Sequence, residues 1–545
     1  MTNPFSYLFL PTKEEMAKID FDTISSGVTS LELIDRVGNK IFNYLKENLE
    51  EFLEWNSLVI CGAGNNGSDG LALSLEMHKE GIEPVLIVIK SEKYSADFLI
   101  KFRKAKEKIN YIFSYPEDCS VLETKGINSK DLPQIFSQCD FIIDAILGTG
   151  QKNAPKKNLK EFLKNLKPFL RDRFTLAIDM PTGIDANSGS LLTPDAFKAN
   201  ITLTIDLIKR GMLQDPARTL CGEIQVIDLD LKKSFDTEYS LGTIFQGHSL
   251  SRRYSCHKGD FGNVLVLAGS AKYRGASILA SHAALKIGAG GVFRTELENA
   301  EAHCLPEIIS IPLKANSNFY TIEDFDQIEE YLERSDVILL GPGIGQEKKT
   351  SEFLFELLRN NTKPAVLDAD ALNIIGKLSN SKLEKLDFSQ AVFTPHPREA
   401  ERLLGIDVQK IQADRYTAAE QLNKKYNATI VLKGAGSIIL DKQQKFVCPS
   451  GNPYMATAGS GDVLAGFIAG MLAQKFPAIA SAYYGAVTHG IAGNMAVTNS
   501  SRAITASEII SFSGNAFTEM LDVLFLDNSE DENFINNYIN FYLTI

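Results

Sequence analysis

The chain has 545 residues, of which 44% are hydrophobic and 23% charged, and its formal net charge is -12 at pH 7. That length exceeds what a single hydrophobic core serves, so two globular domains are expected. The acidic balance argues against sequence-independent nucleic-acid binding and against an anionic membrane surface, which leaves small molecules as the expected ligands.

The first ten residues, Met1 to Leu10, lack the basic region and cleavage site of a signal peptide. No run of about 18 or more apolar residues offers a membrane span, so a cytoplasmic protein is expected. The seven cysteines (Cys61, Cys119, Cys139, Cys221, Cys256, Cys304, Cys448) are scattered and never form a C-x-x-C pair. They read as reduced packing residues rather than disulfides or zinc ligands.

Along the first half, short apolar runs at Ser57 to Cys61, Pro84 to Ile89, Phe141 to Ile146 and Leu176 to Ile178 alternate with amphipathic stretches. The second half repeats the rhythm at Asn263 to Ala268, Val337 to Leu340, Ala365 to Leu367, Val392 to Thr394 and Thr429 to Leu432. Strands alternating with helices predict α/β domains with mostly parallel sheets, whose ligands sit at the carboxyl ends of the strands. The weakly patterned segment Lys232 to Ser251 marks the boundary, giving domains over 1–232 and 251–513, a linker over 233–250 and a tail over 514–545 in which nothing suggests chemistry.

The first predicted strand runs into Gly62-Ala63-Gly64-Asn65-Asn66-Gly67-Ser68-Asp69-Gly70, and a helix is predicted over Leu71 to Lys79. Glycines admit close backbone approach, and a helix N-terminus offers N–H groups to an anion. Gly62, Gly64 and Gly67 also spell a dinucleotide fingerprint, with Glu92 near the expected ribose acid, yet the polar density of the turn favours a substrate or cation site. Two further strand ends carry carboxylates before glycine turns: Asp144 to Gly150 and Asp179 to Asp185. Each acid alone reads equally well as a cap of the following turn.

These residues resemble the N-terminal domain of the NAD(P)H-hydrate epimerases over roughly Pro11 to Leu229, with the turns in the family's order. The resemblance implies a Rossmann-like, three-layer α/β/α fold. It places Asn65, Asn66, Gly67, Ser68 and Asp69 along the hydrate site, with Gly148, Thr149, Gly150 and Asp179 as further substrate contacts. A potassium ion would lie on Asn66, Asp144 and Thr182, and Asp144 would be catalytic. Ser68 and Thr182 depart from the family's usual Gly and Ser.

In the second half, Lys258 to Gly262 precedes a strand, and Gly275-Ala276 opens a helix. Gly341 to Gly345, Asp368-Ala369-Asp370, Thr394 to Glu399 and Lys433 to Ser437 then follow predicted strands. Prolines on both sides of His396 hold it in an extended turn, which favours a ligand contact over a structural role. The strongest segment is Gly459-Ser460-Gly461-Asp462, which leads into an apolar helix. Its N–H groups can meet charge developing on a transferring phosphoryl group, and Asp462 is placed to take a proton from a hydroxyl. The plain alternative for Asp462 is a first-turn acid that stabilises the helix dipole. No Gly-x-x-x-x-Gly-Lys-Ser/Thr loop occurs.

This half resembles the ribokinase-like NAD(P)H-hydrate dehydratases over roughly Tyr254 to Ile510. The resemblance implies hydrate contacts at Ala276, Gly345, His396 and Asp462. It implies nucleotide contacts at Lys433, Gly434, Ala435, Gly436, Ser437 and Gly461. Together the halves imply repair of the hydrates NADHX and NADPHX, with Mg2+ and with ADP favoured over ATP as phosphoryl donor. A homo-oligomer is left open. The competing readings are a small-molecule kinase of the ribokinase type with a non-catalytic first half, and a first half that is a dinucleotide-dependent oxidoreductase.

Overall fold

A computed structural model describes residues 9–49, 51–116, 121–151, 153–229, 237–242, 252, 254–297, 305–314, 318–497 and 502–525. Most of the expected linker, Cys119 and Cys304, and the tail beyond residue 525 lie outside the described residues. The chain divides into two compact units between Glu238 and Tyr239.

The first unit is built on strands β1 (Ser57–Cys61), β2 (Val85–Ile89), β3 (Ile112–Tyr115), β4 (Lys125–Gly126), β5 (Phe141–Ala145), β6 (Phe174–Ile178), β7 (Ile201–Ile205) and β8 (Glu223–Ile227). They form one sheet in the order β4-β3-β2-β1-β5-β6-β7-β8, with every pairing parallel. Leu58, Val59 and Ile60 are fully buried, as expected of a parallel strand covered on both faces. The order reverses between β1 and β5, which opens a crevice at their carboxyl ends. Strands β3, β4, β7 and β8 were not among the predicted runs: Ser114 interrupts β3, β4 is only two residues long, Thr202 and Thr204 interrupt β7, and Gln225 interrupts β8.

Helix α1 (Asn65–Lys79) starts six residues before the predicted start at Leu71, so the polar turn is itself helical. Gly67 makes this possible: a Cβ there would lie 2.0 Å from the Gly62 carbonyl oxygen. Only glycine lets the helix rise that close to the strand end.

The second unit comprises β9 (Asn263–Leu267), β10 (Gly291–Leu297), β11 (Ile309–Leu313), β12 (Val337–Leu340), β13 (Ala365–Leu367), β14 (Ala391–Phe393), β15 (Thr429–Leu432), β16 (Ser437–Leu440) and β17 (Lys445–Cys448). Their order is β11-β10-β9-β12-β13-β14-β15-β16-β17, parallel up to β15 and antiparallel at β16 and β17. The segment Lys433 to Ser437 thus closes a hairpin rather than leading into a helix. The order reverses between β9 and β12.

The helices of this unit include α2 (Arg274–Lys286), α3 (Pro397–Leu404), α4 (Ser460–Ala473), α5 (Ala478–Ala496) and α6 (Ser513–Phe525). Helix α4 is buried along Val463 to Ala473, as its nearly all-apolar sequence requires, and packs against α2 and α5. The start of the expected tail is α6, which packs on α5 with Ala516 and Met520 fully buried. Within the expected linker, Ser240 bridges to Phe446 at the edge of β17, and the Tyr239 hydroxyl donates to Glu420 at 2.9 Å. Among the described residues no helix is long and apolar enough to cross a membrane, and the described cysteines are all unpaired.

Candidate active sites

In the first unit the β1 and β5 turns meet directly, since the Gly62 N–H donates to the Ala145 carbonyl at 2.9 Å. Asp144, at the end of β5, is fully buried. Its carboxylate accepts from the Thr182 N–H at 2.7 Å, the Thr182 hydroxyl at 2.8 Å and the Ile146 N–H at 3.0 Å. Burial pushes its pKa up to about 6, against the pull of those bonds.

Asp179 follows β6 with a left-handed φ of 67° and accepts from both the N–H and the hydroxyl of Thr149, at 2.8 and 2.6 Å. Its other oxygen takes a hydrogen bond from Lys209. Burial raises this carboxyl, but Lys209 and Thr149 outweigh it and hold Asp179 below the usual carboxylate range. The Lys209 ammonium also donates to the Thr204 hydroxyl and the Ile205 carbonyl, each at 3.0 Å, so its three hydrogens are all used. Asp69 behaves oppositely: burial, then the charges of Asp179 and Asp20, push it well above its ordinary value. The unit therefore sets Asp179, held below the usual carboxylate range, near Asp69, pushed above it.

Gly148 fits between these groups, since a Cβ there would lie 2.6 Å from Asp179 Oδ2 and 3.3 Å from Asn66 Cγ. The structure thus brings Asn66, Gly148, Thr149 and Asp179 together, with Thr182 joined to Asp144. Asn66 is buried, and neither polar atom of its amide has a protein partner. Asn65 and Gly150 are exposed at the rim. Ser68 is fully buried and its hydroxyl donates to the Gly64 carbonyl at 3.2 Å, so the extra bulk relative to Gly sits inside the helix packing. Glu92 pairs with Lys156 at the surface, its side chain 83% exposed. That position leaves the dinucleotide reading without its acid.

In the second unit the carboxyl-end turns step across the sheet. Gly269 donates to Pro342 at 2.8 Å, Asp368 to Leu340 at 3.2 Å, Thr394 to Leu367 at 3.1 Å and Lys433 to Pro395 at 2.9 Å, all through backbone N–H groups. Ala276, in the first turn of α2, lies against Gly343, whose Cβ would be 3.1 Å from its own. The Gly345 N–H donates to Asp370 at 3.0 Å, so that carboxylate fixes the turn.

The turns converge on Lys433. Its ammonium donates to Asp368 at 2.6 Å and lies 3.9 Å from Glu399, while the Thr394 hydroxyl donates to the same Asp368 oxygen at 2.7 Å. Burial alone would lower the Lys433 pKa, but Asp368, Glu399 and Asp462 outweigh it and raise it. The loop beyond is gripped by buried Arg415, which donates to the Ala435 carbonyl at 2.7 Å and the Leu432 carbonyl at 3.0 Å. Gly434 and Ala435 are exposed at its tip.

Asp462 stands in the first turn of α4, after Gly459, whose φ of 89° leaves room against Leu279 that a side chain would close. Burial and then Asp368 raise its pKa to about 7, while Lys433 pulls it down. A Cβ at Gly461 would lie 3.5 Å from the Lys433 ammonium, so the N-terminus of α4 faces that cation. Asp462 is thus poised near neutrality beside a fixed positive charge, the setting a general base needs.

His396 has the structural role that the sequence weighted less. Its Nδ1 accepts from the Arg398 and Glu399 N–H groups at 3.0 and 3.2 Å, capping α3. Because Nδ1 accepts, the hydrogen is on Nε2, which faces Glu399 Oε1 at 3.3 Å, and burial, then Lys433, lower the pKa of the ring. The side chain remains 44% exposed, which leaves an edge for a ligand.

The NAD(P)H-hydrate dehydratase family model matches residues 264–514, and the YjeF-related protein N-terminus model matches residues 30–211. A bifunctional NAD(P)H-hydrate repair enzyme of Coxiella burnetii is 33% identical over 482 residues, spanning 87% of this chain and 92% of that protein. The chain belongs to the bifunctional NAD(P)H-hydrate repair enzymes. The Moorella thermoacetica member is 31% identical and spans 93% of this chain and 96% of its own. A crystal structure of the ADP/ATP-dependent NAD(P)H-hydrate dehydratase from Bacillus subtilis with ATP/Mg2+ is 25% identical, covers 49% of this chain and 93% of its own, and has a TM-score of 0.43.

In this repair enzyme the first unit is the epimerase half and the second is the dehydratase half. Sequence reasoning missed Lys209, Arg415 and His489, none of which follows a strand within a glycine turn. Glu399 ends the Thr394 to Glu399 turn, but its burial beside Lys433 is not legible in the sequence. Burial and Asp368 raise its pKa to about 7, with Lys433 opposing them.

Proposed function

We propose that the two units repair hydrated nicotinamide cofactors in sequence, the first interconverting the R and S epimers of NADHX and NADPHX, and the second dehydrating the S epimer. A cytoplasmic setting, where these cofactors work, belongs to the same reading. The position of Asp462 at the start of α4, beside the Lys433–Asp368 pair, carries it.

Asp462 removes the proton of the C6 hydroxyl, and that oxygen attacks the terminal phosphorus of ADP. The P–O bond to AMP breaks and AMP leaves. The lone pair of the ring nitrogen then expels phosphate from C6, and loss of the C5 proton restores the C5=C6 double bond. The N-terminus of α4 and Lys433 stabilise charge on the transferring group. Mg2+, when bound with the nucleotide, supplies further neutralisation of phosphate charge. Lys433, Gly434, Ala435, Gly436, Ser437 and Gly461 would border the nucleotide, and Ala276, Gly345 and His396 the hydrate.

In the epimerase half, Asn66, Asp144 and Thr182 suit a potassium ion. The buried Asn66 amide has no protein partner, and the oxygens of Asp144 and Thr182 meet at 2.8 Å. Hard cations take such oxygen donors, and when bound K+ would supply a fixed positive charge. Asp144, the catalytic carboxylate of this reading, holds Thr182 in place. Asp179 and Thr149, with Asn65, Gly67, Asp69, Gly148 and Gly150, would hold the substrate.

The test is to incubate the protein with mixed NADHX epimers and ADP or ATP, and to follow recovery of reduced-nicotinamide absorbance. Complete recovery is expected, with Asp462→Asn abolishing dehydration while epimerisation persists. No recovery with either nucleotide, or a stable phosphorylated product, would overturn the reading.

A further inference from the structure

His489 is almost wholly buried in α5, a helix with no other ionisable group besides two tyrosines, and plays no part in the mechanism above. Its Nε2 lies 3.0 Å from the Ser460 backbone carbonyl and 3.3 Å from the Ser460 hydroxyl. The ring is set edge-on to Phe467, with centroids 6.2 Å apart. A carbonyl can only accept, so Nε2 must carry a hydrogen and donate it to Ser460. Burial, with the Lys433 charge adding to it, lowers the His489 pKa to about 4, so the ring is neutral at physiological pH.

This tautomer decides where the Ser460 hydroxyl hydrogen goes. With a hydrogen already on Nε2, the hydroxyl cannot donate to His489. It has no other partner among the described residues, and Ser460 is only half buried. Ser460 stands between Gly459 and Gly461, at the helix start that faces the Lys433 ammonium. Its hydroxyl is thus the one side-chain hydrogen-bond donor within Gly459-Ser460-Gly461.

The geometry points to His489 as a positioning residue that locks Ser460 from beneath, so that the Ser460 hydroxyl donates to the phosphoryl group passing over the α4 N-terminus. This rests on the phosphoryl-transfer reading of the second unit. Preorganised donors of this kind act without reorganising during reaction, so loss of the lock lowers kcat more than it weakens substrate binding.

The test compares full-length wild type, His489→Phe, His489→Gln, Ser460→Ala and the His489→Phe/Ser460→Ala double variant in NADHX dehydration with ADP and Mg2+. His489→Phe and Ser460→Ala should each lower kcat by roughly ten- to a hundredfold, with both KM values within about twofold. The double variant should be no slower than the slower single variant, because both remove one donor. His489→Gln, which keeps an N–H at similar reach, should recover most of the rate. Losses that multiply in the double variant, or a His489→Phe enzyme as fast as wild type, would overturn the proposal.

If His489→Phe does not fold, Ser460→Ala and His489→Gln still decide. An unimpaired Ser460→Ala enzyme sinks the idea. Nitrogen NMR of the His489 ring in the wild-type protein separates this proposal from the dehydratase reading. A neutral Nε2–H tautomer unchanged between about pH 5 and 8 is expected even if no dehydration is found. An Nδ1–H tautomer, or titration inside that range, rejects the lock whatever the activity.

Discussion

Lys433 donates to Asp368 at 2.6 Å, so the cation at the dehydratase site is bound into a cluster of carboxylates before any nucleotide arrives. Asp368 is nearly fully buried, and Asp462 and Glu399 share the same positive charge. On the proposed reading the pair therefore supports both the fold and the reaction.

Replacing Lys433 with Met should leave Asp368 buried without its cation. Breaking a buried pair in this way costs about 3 kcal/mol or more, so the dehydratase unit should unfold at lower temperature in a thermal melt. Dehydration should fall by roughly a hundredfold or more, with epimerisation retained.

Asp462 can accept a proton only when ionised, and its pKa lies near 7. The kcat/KM for dehydration should therefore rise with pH through about 7 and level off above it. Lys433 is what pulls that pKa down, so residual activity of Lys433→Met should show its rise at higher pH. A wild-type profile flat from acid to neutral pH would contradict the assignment of Asp462 as base.

Asp144→Ala should abolish epimerisation and leave dehydration of the S epimer unchanged. The variant removes the acceptor of three hydrogen bonds, two of them from Thr182. Each unmet buried donor costs about 1 to 3 kcal/mol, so the first unit should also melt earlier. Epimer interconversion followed by chromatography separates this loss from any change in dehydration.

Gly148→Ala places a methyl 2.6 Å from Asp179 Oδ2, where the Thr149 hydrogen bonds converge. Epimerisation should fall by at least an order of magnitude, consistent with roughly 1 to 3 kcal/mol for overpacking a close contact. Thr149→Ser, which keeps the hydroxyl, should retain most of the activity.

Exchanging K+ for Li+ should slow epimerisation while leaving dehydration unchanged, because an ion held by Asn66, Asp144 and Thr182 would have to match the spacing of their oxygens. Asn66→Ala should blunt that dependence. Equal epimerisation rates in both salts would remove the ion from this half of the reaction.

The strand rhythm, the two-unit organisation and the glycine turns were legible in the sequence, because parallel strands buried on both faces must be short apolar runs and the turns after them must admit close backbone approach. Asp144, Asp179, Asn66 and Asp462 could be singled out for the same reason, since each sits where a strand or glycine turn ends. Only the tertiary structure decided what those groups meet. Lys209 comes to Asp179 from 30 residues away, Lys433 to Asp368 from 65, and His489 to Ser460 from 29, separations that carry no local pattern. The start of α1 at Asn65 and the capping role of His396 were likewise settled by contacts that a linear reading does not contain. Chemistry at these sites depends on charge and burial, and both belong to neighbours brought close in space rather than in sequence.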